Sequence, residues 1–173
     1  LLIDIQYDKI STRYSKITIG VEFMLITILA SLIIIIDQIT KYLIRTNLIL
    51  FEKINIIDDY FYFTFVKNRG AAFGIMQGQR IFFIAVTLFF LIFILYLYQK
   101  ELTQNLFSKI AVSFLIGGSI ANLIDRVTLH YVTDFIAVDI IPFYQFPVIN
   151  IADVFVFCGV FLLIFELLFT LKS

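Results

Sequence analysis

One cysteine, one histidine and two prolines in 173 residues close off several kinds of chemistry before any motif is sought. The lone Cys158 excludes an internal disulfide and a multi-cysteine metal site, and its apolar surroundings disfavour the thiolate that a nucleophile needs. The lone His130 leaves zinc proteolysis of the HExxH kind without its second histidine. It would also have to serve as the base of any Ser-His-Asp triad, yet it stands in the 126–147 stretch near no activated serine. Two prolines and seven glycines leave no room for a flexible linker or a disordered tail. Charge is scarce as well: 15% of residues are charged, against about 25% in a soluble domain. Lys plus Arg equals Asp plus Glu, so no net field selects nucleic acid or an acidic partner.

What remains is apolar. The chain is 61% hydrophobic with a mean hydropathy of +1.01, the composition of a membrane protein. Four runs approach the ~20 residues that cross a bilayer as a helix: 21–44, 81–98, 107–124 and 148–169. The expected fold class is membrane all-α, one integral membrane domain over 1–173. A polar arm at 1–20 lacks the pattern of a signal peptide. Between the first two spans, Ile54–Ile57 and Tyr60–Val66 are short β-branched and aromatic runs on either side of Asp58-Asp59, which predicts a small β-sheet element there. The 126–147 stretch reads as a mixed connection, ending in Phe146-Pro147 at the mouth of the fourth helix. Gly117, Gly118, Ser119 and Ala121 give the third span a small-residue face that permits close helix contact.

Against this background the acids need a reason, because a charge at bilayer depth costs roughly 2.5–3.5 kcal/mol and usually marks function. Asp37, Asp125, Asp134 and Asp153 all fall on the loop side of the spans, three of them on different helices. Asp37 and Lys41 are four apart and can pair on one helical face. Asn122 and Asp125, and again Asn150 and Asp153, are three apart and share a face. Arg126 offers Asp125 a local countercharge. In the 67–74 stretch, Asn68 supplies a donor and an acceptor while Gly70 and Gly74 suit tight turns. Glu166 lies about 20 Å along the last helix from Asp153 at 1.5 Å per residue, near the opposite face.

Three chemistries fit these residues. Two carboxylates sharing a site hold one proton between them, so that one activates water and the other acts as acid. Ser119 with Lys41 would make a serine–lysine pair. Proton-coupled transport also places aspartates at helix ends. Four spans put both termini on one side. Basic residues do not orient the chain, since Lys9, Arg13, Lys16, Lys100, Lys109 and Lys172 fall on the terminal side and the remaining seven of thirteen on the other.

Five motifs in order narrow the choice. Asp37-x-x-Thr40-Lys41, Asn68-Arg69-Gly70-Ala71-Ala72-Phe73-Gly74, Gly117-Gly118-Ser119-Ile120-Ala121-Asn122-Leu123-Ile124-Asp125-Arg126, Val132-Thr133-Asp134-Phe135 and Phe146-Pro147-x-x-Asn150-Ile151-Ala152-Asp153 resemble the bacterial lipoprotein signal peptidases (signal peptidase II), in register from Val21 to Phe169. The departures are Ala121, Ile149 and Val154, where that family usually has Gly, Phe and a small residue; all three are packing positions. The resemblance implies an aspartyl endopeptidase of the bacterial inner membrane, its active site toward the outer leaflet and its termini cytoplasmic. Its substrates would be diacylglyceryl-modified prolipoproteins, cut just before the lipidated cysteine. By motif position Asp134 and Asp153 are the catalytic pair, and Asp37, Lys41, Asn68, Gly70, Asn122, Asp125, Arg126 and Asn150 are supporting or substrate-binding residues. A β-sheet cradle on the outer membrane surface, no metal or other cofactor, membrane lipid as surroundings, no nucleic acid and a monomeric state complete the expectation.

Overall fold

A computed structural model describes residues 2–57, 60–70, 76–100, 105–139 and 146–170, with side chains from Phe23 onward and up to Leu168. The Asp58-Asp59 turn and the Ala71-to-Gly74 part of the second motif lie outside the described residues. The order of elements is α1 (Leu2–Asn47), β1 (Lys53–Ile57), β2 (Phe61–Asn68), α2 (Arg80–Lys100), α3 (Leu106–Thr128), β3 (Val132–Val138) and α4 (Ile151–Thr170). Each helix contains a stretch long and apolar enough to cross a membrane: Phe23–Asn47, Arg80–Lys100, Leu106–Thr128 and Ile151–Leu168. The backbone of the polar stretch before the first span is helical and continuous with it. No proline interrupts it, and Gly20 alone weakens a helix by only about 1 kcal/mol.

α3 is the central helix. It is the least apolar of the four and 56% of its span is buried, against 22% or less in the others. It packs on α1, α2 and α4, and its small residues set how closely. A Cβ on Gly117 would come within 3.0 Å of the Ala30 carbonyl oxygen of α1, and one on Gly118 within 2.5 Å of the Ala152 carbonyl oxygen of α4. Backbones therefore nearly touch where α4 begins. Gly118 and Asn122 are one turn apart on the same face of α3, so this contact also brings Asn122 to the start of α4. At the other end of the bundle Ile26, Ile94, Tyr98, Val112 and Leu115 form an apolar core. There the Ser108 hydroxyl donates to the Glu166 carboxylate.

The sheet has three antiparallel strands in the order β1-β2-β3. Its third strand, 132–138, lies in the 126–147 stretch, whose sequence has the look of a mixed connection. Phe63 faces Ile136 and Val66 faces Asp134, so Thr64 and Phe65 together stand against Phe135, a bulge that re-aims the strand next to Asp134. The fourth helix starts at Ile151 rather than at 148. Ile149 is still extended, exchanging backbone hydrogen bonds with Ile136, and this ties the mouth of α4 to the strand that carries Asp134.

Candidate active site

Asn150 and Asp153 open α4 with a reciprocal cap. The Asn150 side-chain oxygen accepts the Asp153 N–H at 2.9 Å, and Asp153 Oδ2 accepts the Asn150 N–H at 3.1 Å, the arrangement of a capping box. Asn150 Nδ2 then donates in two directions, to Asp134 Oδ1 at 2.7 Å and to Asn122 Oδ1 at 3.1 Å. Asn122 Nδ2 donates to Asp153 Oδ1 at 2.8 Å. Asn68 Nδ2 donates to Asp134 Oδ2 at 2.8 Å, while its own oxygen accepts the Gly70 N–H at 2.9 Å. Each of the four carboxyl oxygens of Asp134 and Asp153 thus accepts an N–H from a neighbour.

Behind this pair lies a buried ionic cluster. Lys41 and Asp37 have fully buried side chains and meet at 2.8 Å; Lys41 also reaches Asp125 Oδ2 at 3.3 Å and Asn122 Oδ1 at 2.8 Å. Asp125 Oδ2 accepts the Thr133 N–H at 2.9 Å, locking α3 to β3 one residue before Asp134. Asp37 Oδ1 accepts the Ala152 N–H at 2.8 Å. Lys41 is 0% exposed, so its ammonium does not reach up to the membrane surface as interfacial lysines do. The serine–lysine pair fails, because the three ammonium protons are directed at Asp37, Asn122 and Asp125.

One expected pairing is corrected. Asp125 forms its direct ion pair with Lys41, and the Arg126 charge acts on Asp153 and Asp134 ahead of Asp125. Neighbours on a helix point about 100° apart, so Arg126 turns elsewhere: its Nη1 lies 3.4 Å from the Asn122 carbonyl oxygen and its guanidinium 5.5 Å from the Phe83 ring centroid. Two contributors were missed. Gln38 Nε2 donates to Asp125 Oδ1 at 3.1 Å and to the Ala121 carbonyl at 3.2 Å; an amide inside an apolar run was the available signal. Arg45 Nη1 donates to Thr133 Oγ1 at 3.0 Å. His130 is exposed, as expected of a loop residue.

Asp134 is 2% exposed. Burial, reinforced by the charge of Asp153, pushes its carboxyl up to about 7, against the opposing hydrogen bonds from Asn68 and Asn150 and the Lys41 charge. A carboxyl near that value is still about half protonated at neutral pH and can donate a proton. Both aspartates line a cleft of ≈ 360 Å³, with Asn68, Gly70, Asn122 and Arg126 at its polar end and Val156, Phe157 and Val160 running down α4. A second cleft of ≈ 290 Å³ opens between α2, α3 and α4, lined by Val86, Thr87, Phe90 and Ser119, and shares Asn122, Arg126, Asp153 and Val156 with the first.

Comparison with known proteins gives one direction. A model of the family described as signal peptidase (SPase) II matches residues 16–169. A lipoprotein signal peptidase of Staphylococcus aureus strain MRSA252 is 39% identical over 155 residues, covering 90% of this chain and 92% of its own. The lipoprotein signal peptidase of strain JH9 is 38% identical with the same coverage. Two solved bacterial membrane enzyme structures, at 2.3 and 1.9 Å resolution, are each 38% identical and cover 83% of this chain. Their TM-scores are 0.77 and 0.74, with 87% and 92% of their own chains covered.

Proposed function

As the chain belongs to the signal peptidase (SPase) II family, we propose that it removes the signal peptide from diacylglyceryl-modified prolipoproteins, cutting just before the lipidated cysteine, with Asp134 and Asp153 as the catalytic pair. The observation that carries this assignment is Asn150, which donates its side-chain N–H to Asp134 and its backbone N–H to Asp153. One residue thereby holds both carboxyls at the head of a cleft.

Asp134 carries the proton at rest and Asp153 is the carboxylate. Asp153 takes a proton from water as the water oxygen attacks the scissile carbonyl carbon. Asp134 gives its proton to the carbonyl oxygen, forming a neutral gem-diol. Asp134 then takes a diol proton back while Asp153 passes its own to the departing nitrogen. The C–N bond breaks, the signal peptide leaves with a new carboxyl, and the pair is restored. Lateral N–H donors occupy one lone pair on every carboxyl oxygen, which leaves the others for water and substrate.

The two clefts support the substrate assignment. The first runs from the aspartates down the apolar side of α4, a slot for an apolar segment arriving from the bilayer. The second meets it at Asp153 and leaves room for the lipid on the new N-terminal cysteine. Asn68, Gly70 and Arg126, at the polar rim, are the substrate-facing members of the supporting set; Asp37, Lys41, Asn122, Asp125 and Asn150 hold the pair. As such an enzyme, residues 1–173 would form one monomeric domain in the bacterial inner membrane, with cytoplasmic termini and the site toward the outer leaflet.

Incubating purified protein with a diacylglyceryl-modified precursor tests this directly. Release of the signal peptide by the unmodified protein, lost in Asp153→Asn, is the expected result. No release from a precursor carrying the lipid, or equal cleavage of the unlipidated form, would overturn it.

A further inference from the structure

We propose that Lys41 is a positioning residue that acts on the aspartate pair through Asn122, by fixing which way the Asn122 carboxamide points. This rests on Asp134 and Asp153 being the catalytic pair. Lys41 is fully buried, so its ammonium has no water as an alternative partner, and Asn122 is only 8% exposed. Asn122 Oδ1 accepts from Lys41 Nζ at 2.8 Å and from Asn150 Nδ2 at 3.1 Å, which leaves Asn122 Nδ2 to donate to Asp153 Oδ1 at 2.8 Å. Turned over, the amide would set its NH₂ group against an ammonium and another amide N–H, and its oxygen against a carboxylate. An uncompensated buried polar contact is costly, and here three would form together.

The same choice reaches Asp134. Asn150 Nδ2 spends one proton on Asn122 Oδ1 and the other on Asp134 Oδ1. If Asn122 Oδ1 no longer faced Asn150, that proton would lose its acceptor and the hold on both carboxyls would loosen. Direction thus runs from the ammonium, through one amide to Asp153, and through the orientation of a second amide to Asp134. Asp37 and Asp125 hold the ammonium in its place. Lys41 makes no hydrogen bond to either aspartate of the pair; beyond the reach of its charge to Asp134, its hold on them runs through Asn122.

Lys41 has a rival role, which is merely to neutralise Asp37 and Asp125. The two roles separate once both acids are gone. Asp37→Asn/Asp125→Asn is the reference, in which Lys41 has no carboxylate left to neutralise, and the test variant adds Lys41→Met to it. Signal-peptide release from a diacylglyceryl-modified precursor is measured alongside side-chain amide spectra of ¹⁵N-asparagine-labelled protein in micelles. The proposal expects kcat of the test variant to fall at least about 100-fold below its reference with KM within about threefold, and the Asn122 amide signals to shift or split. Turnover equal to or above the reference, or unmoved Asn122 signals, would overturn it. Should the test variant or its reference fail to fold, Asn122→Ala, which leaves every charge in place, must show the kcat loss; near-normal kcat there also overturns the proposal. If the unmodified protein releases no signal peptide, the functional reading fails, and the amide spectra alone decide whether Lys41 orients Asn122.

Discussion

Ala152 donates its backbone N–H to Asp37 Oδ1 at 2.8 Å, so the first turn of α4 is capped by a carboxylate from α1. Helix N-termini present N–H groups without partners inside the helix and favour a negative charge. Asp153 follows Ala152 directly in the chain. A residue 116 positions earlier therefore fixes the height at which Asp153 emerges.

Asp37→Ala removes that acceptor and the closer of the two carboxylates that pair with Lys41, leaving a buried cation with Asp125 and Asn122. Breaking a buried pair costs roughly 3–5 kcal/mol. Thermal unfolding in detergent should therefore begin well below that of the unmodified protein, and turnover should fall with it. Unchanged melting would mean that Asp125 alone satisfies Lys41.

Asp134→Asn and Asp153→Asn should each reduce signal-peptide release by at least about 10³-fold, with the double variant little worse, because groups acting as a unit are not additive. Each change also places an NH₂ group against one N–H donor, since both oxygens of each carboxyl are acceptors. A modest loss of stability should accompany the loss of turnover. Additive losses would argue that the two carboxyls work separately.

The pH dependence of stability follows from Asp134. Its carboxyl is raised from 3.8 to about 7, so the folded state binds this proton more tightly than the unfolded chain. The resulting stabilisation is fully present below 3.8 and is lost as pH rises through about 7. At about 1.4 kcal/mol per pKa unit, its ceiling is roughly 4 kcal/mol. Relative to the unmodified protein, Asp134→Asn should therefore be better tolerated at pH 8 than at pH 5, read as the difference in melting temperature. Asn68→Ala, which removes a bond that lowers this pKa, should move the alkaline limb of turnover upward.

Gly118→Ala tests the closeness of α3 and α4. The added Cβ would lie 2.5 Å from the Ala152 carbonyl oxygen and 2.7 Å from Val156 Cγ2, and neither backbone can yield without moving Asp153. Overpacking of this kind costs about 1–3 kcal/mol. Both melting temperature and kcat should drop. Full activity would show that α4 can shift without disturbing the pair.

The four spans were legible because bilayer thickness dictates their length, and the acids stood out because burial in lipid makes them expensive. β3 was not, for its pattern is broken where it matters. Asp134 occupies a buried strand position, and period-2 alternation cannot mark a polar residue whose partners, Asn68 and Asn150, come from elsewhere. Adjacency suggested Arg126 for Asp125, whereas helix phase turns the two apart and a lysine from another helix fills the place. Gln38 passed unremarked because its shorter hydrogen bonds go to two acceptors on α3. The start of α4 shifted three residues because Ile149 is claimed by β3, a long-range pairing that no local propensity announces.

The i, i+4 spacing of Asp37 and Lys41 also bears on how the chain enters the membrane. Helix one is synthesised well before helix three, and domains assemble from the N-terminal end as they emerge. During that interval Lys41 has no Asn122 and no Asp125, but a counterion one turn away on its own helix travels with it. The first span is thus electrically self-sufficient at insertion. When α3 arrives, its Asp125 and Asn122 enter a socket whose ammonium is already in place, and the polar centre is completed by docking instead of by moving a bare charge through lipid.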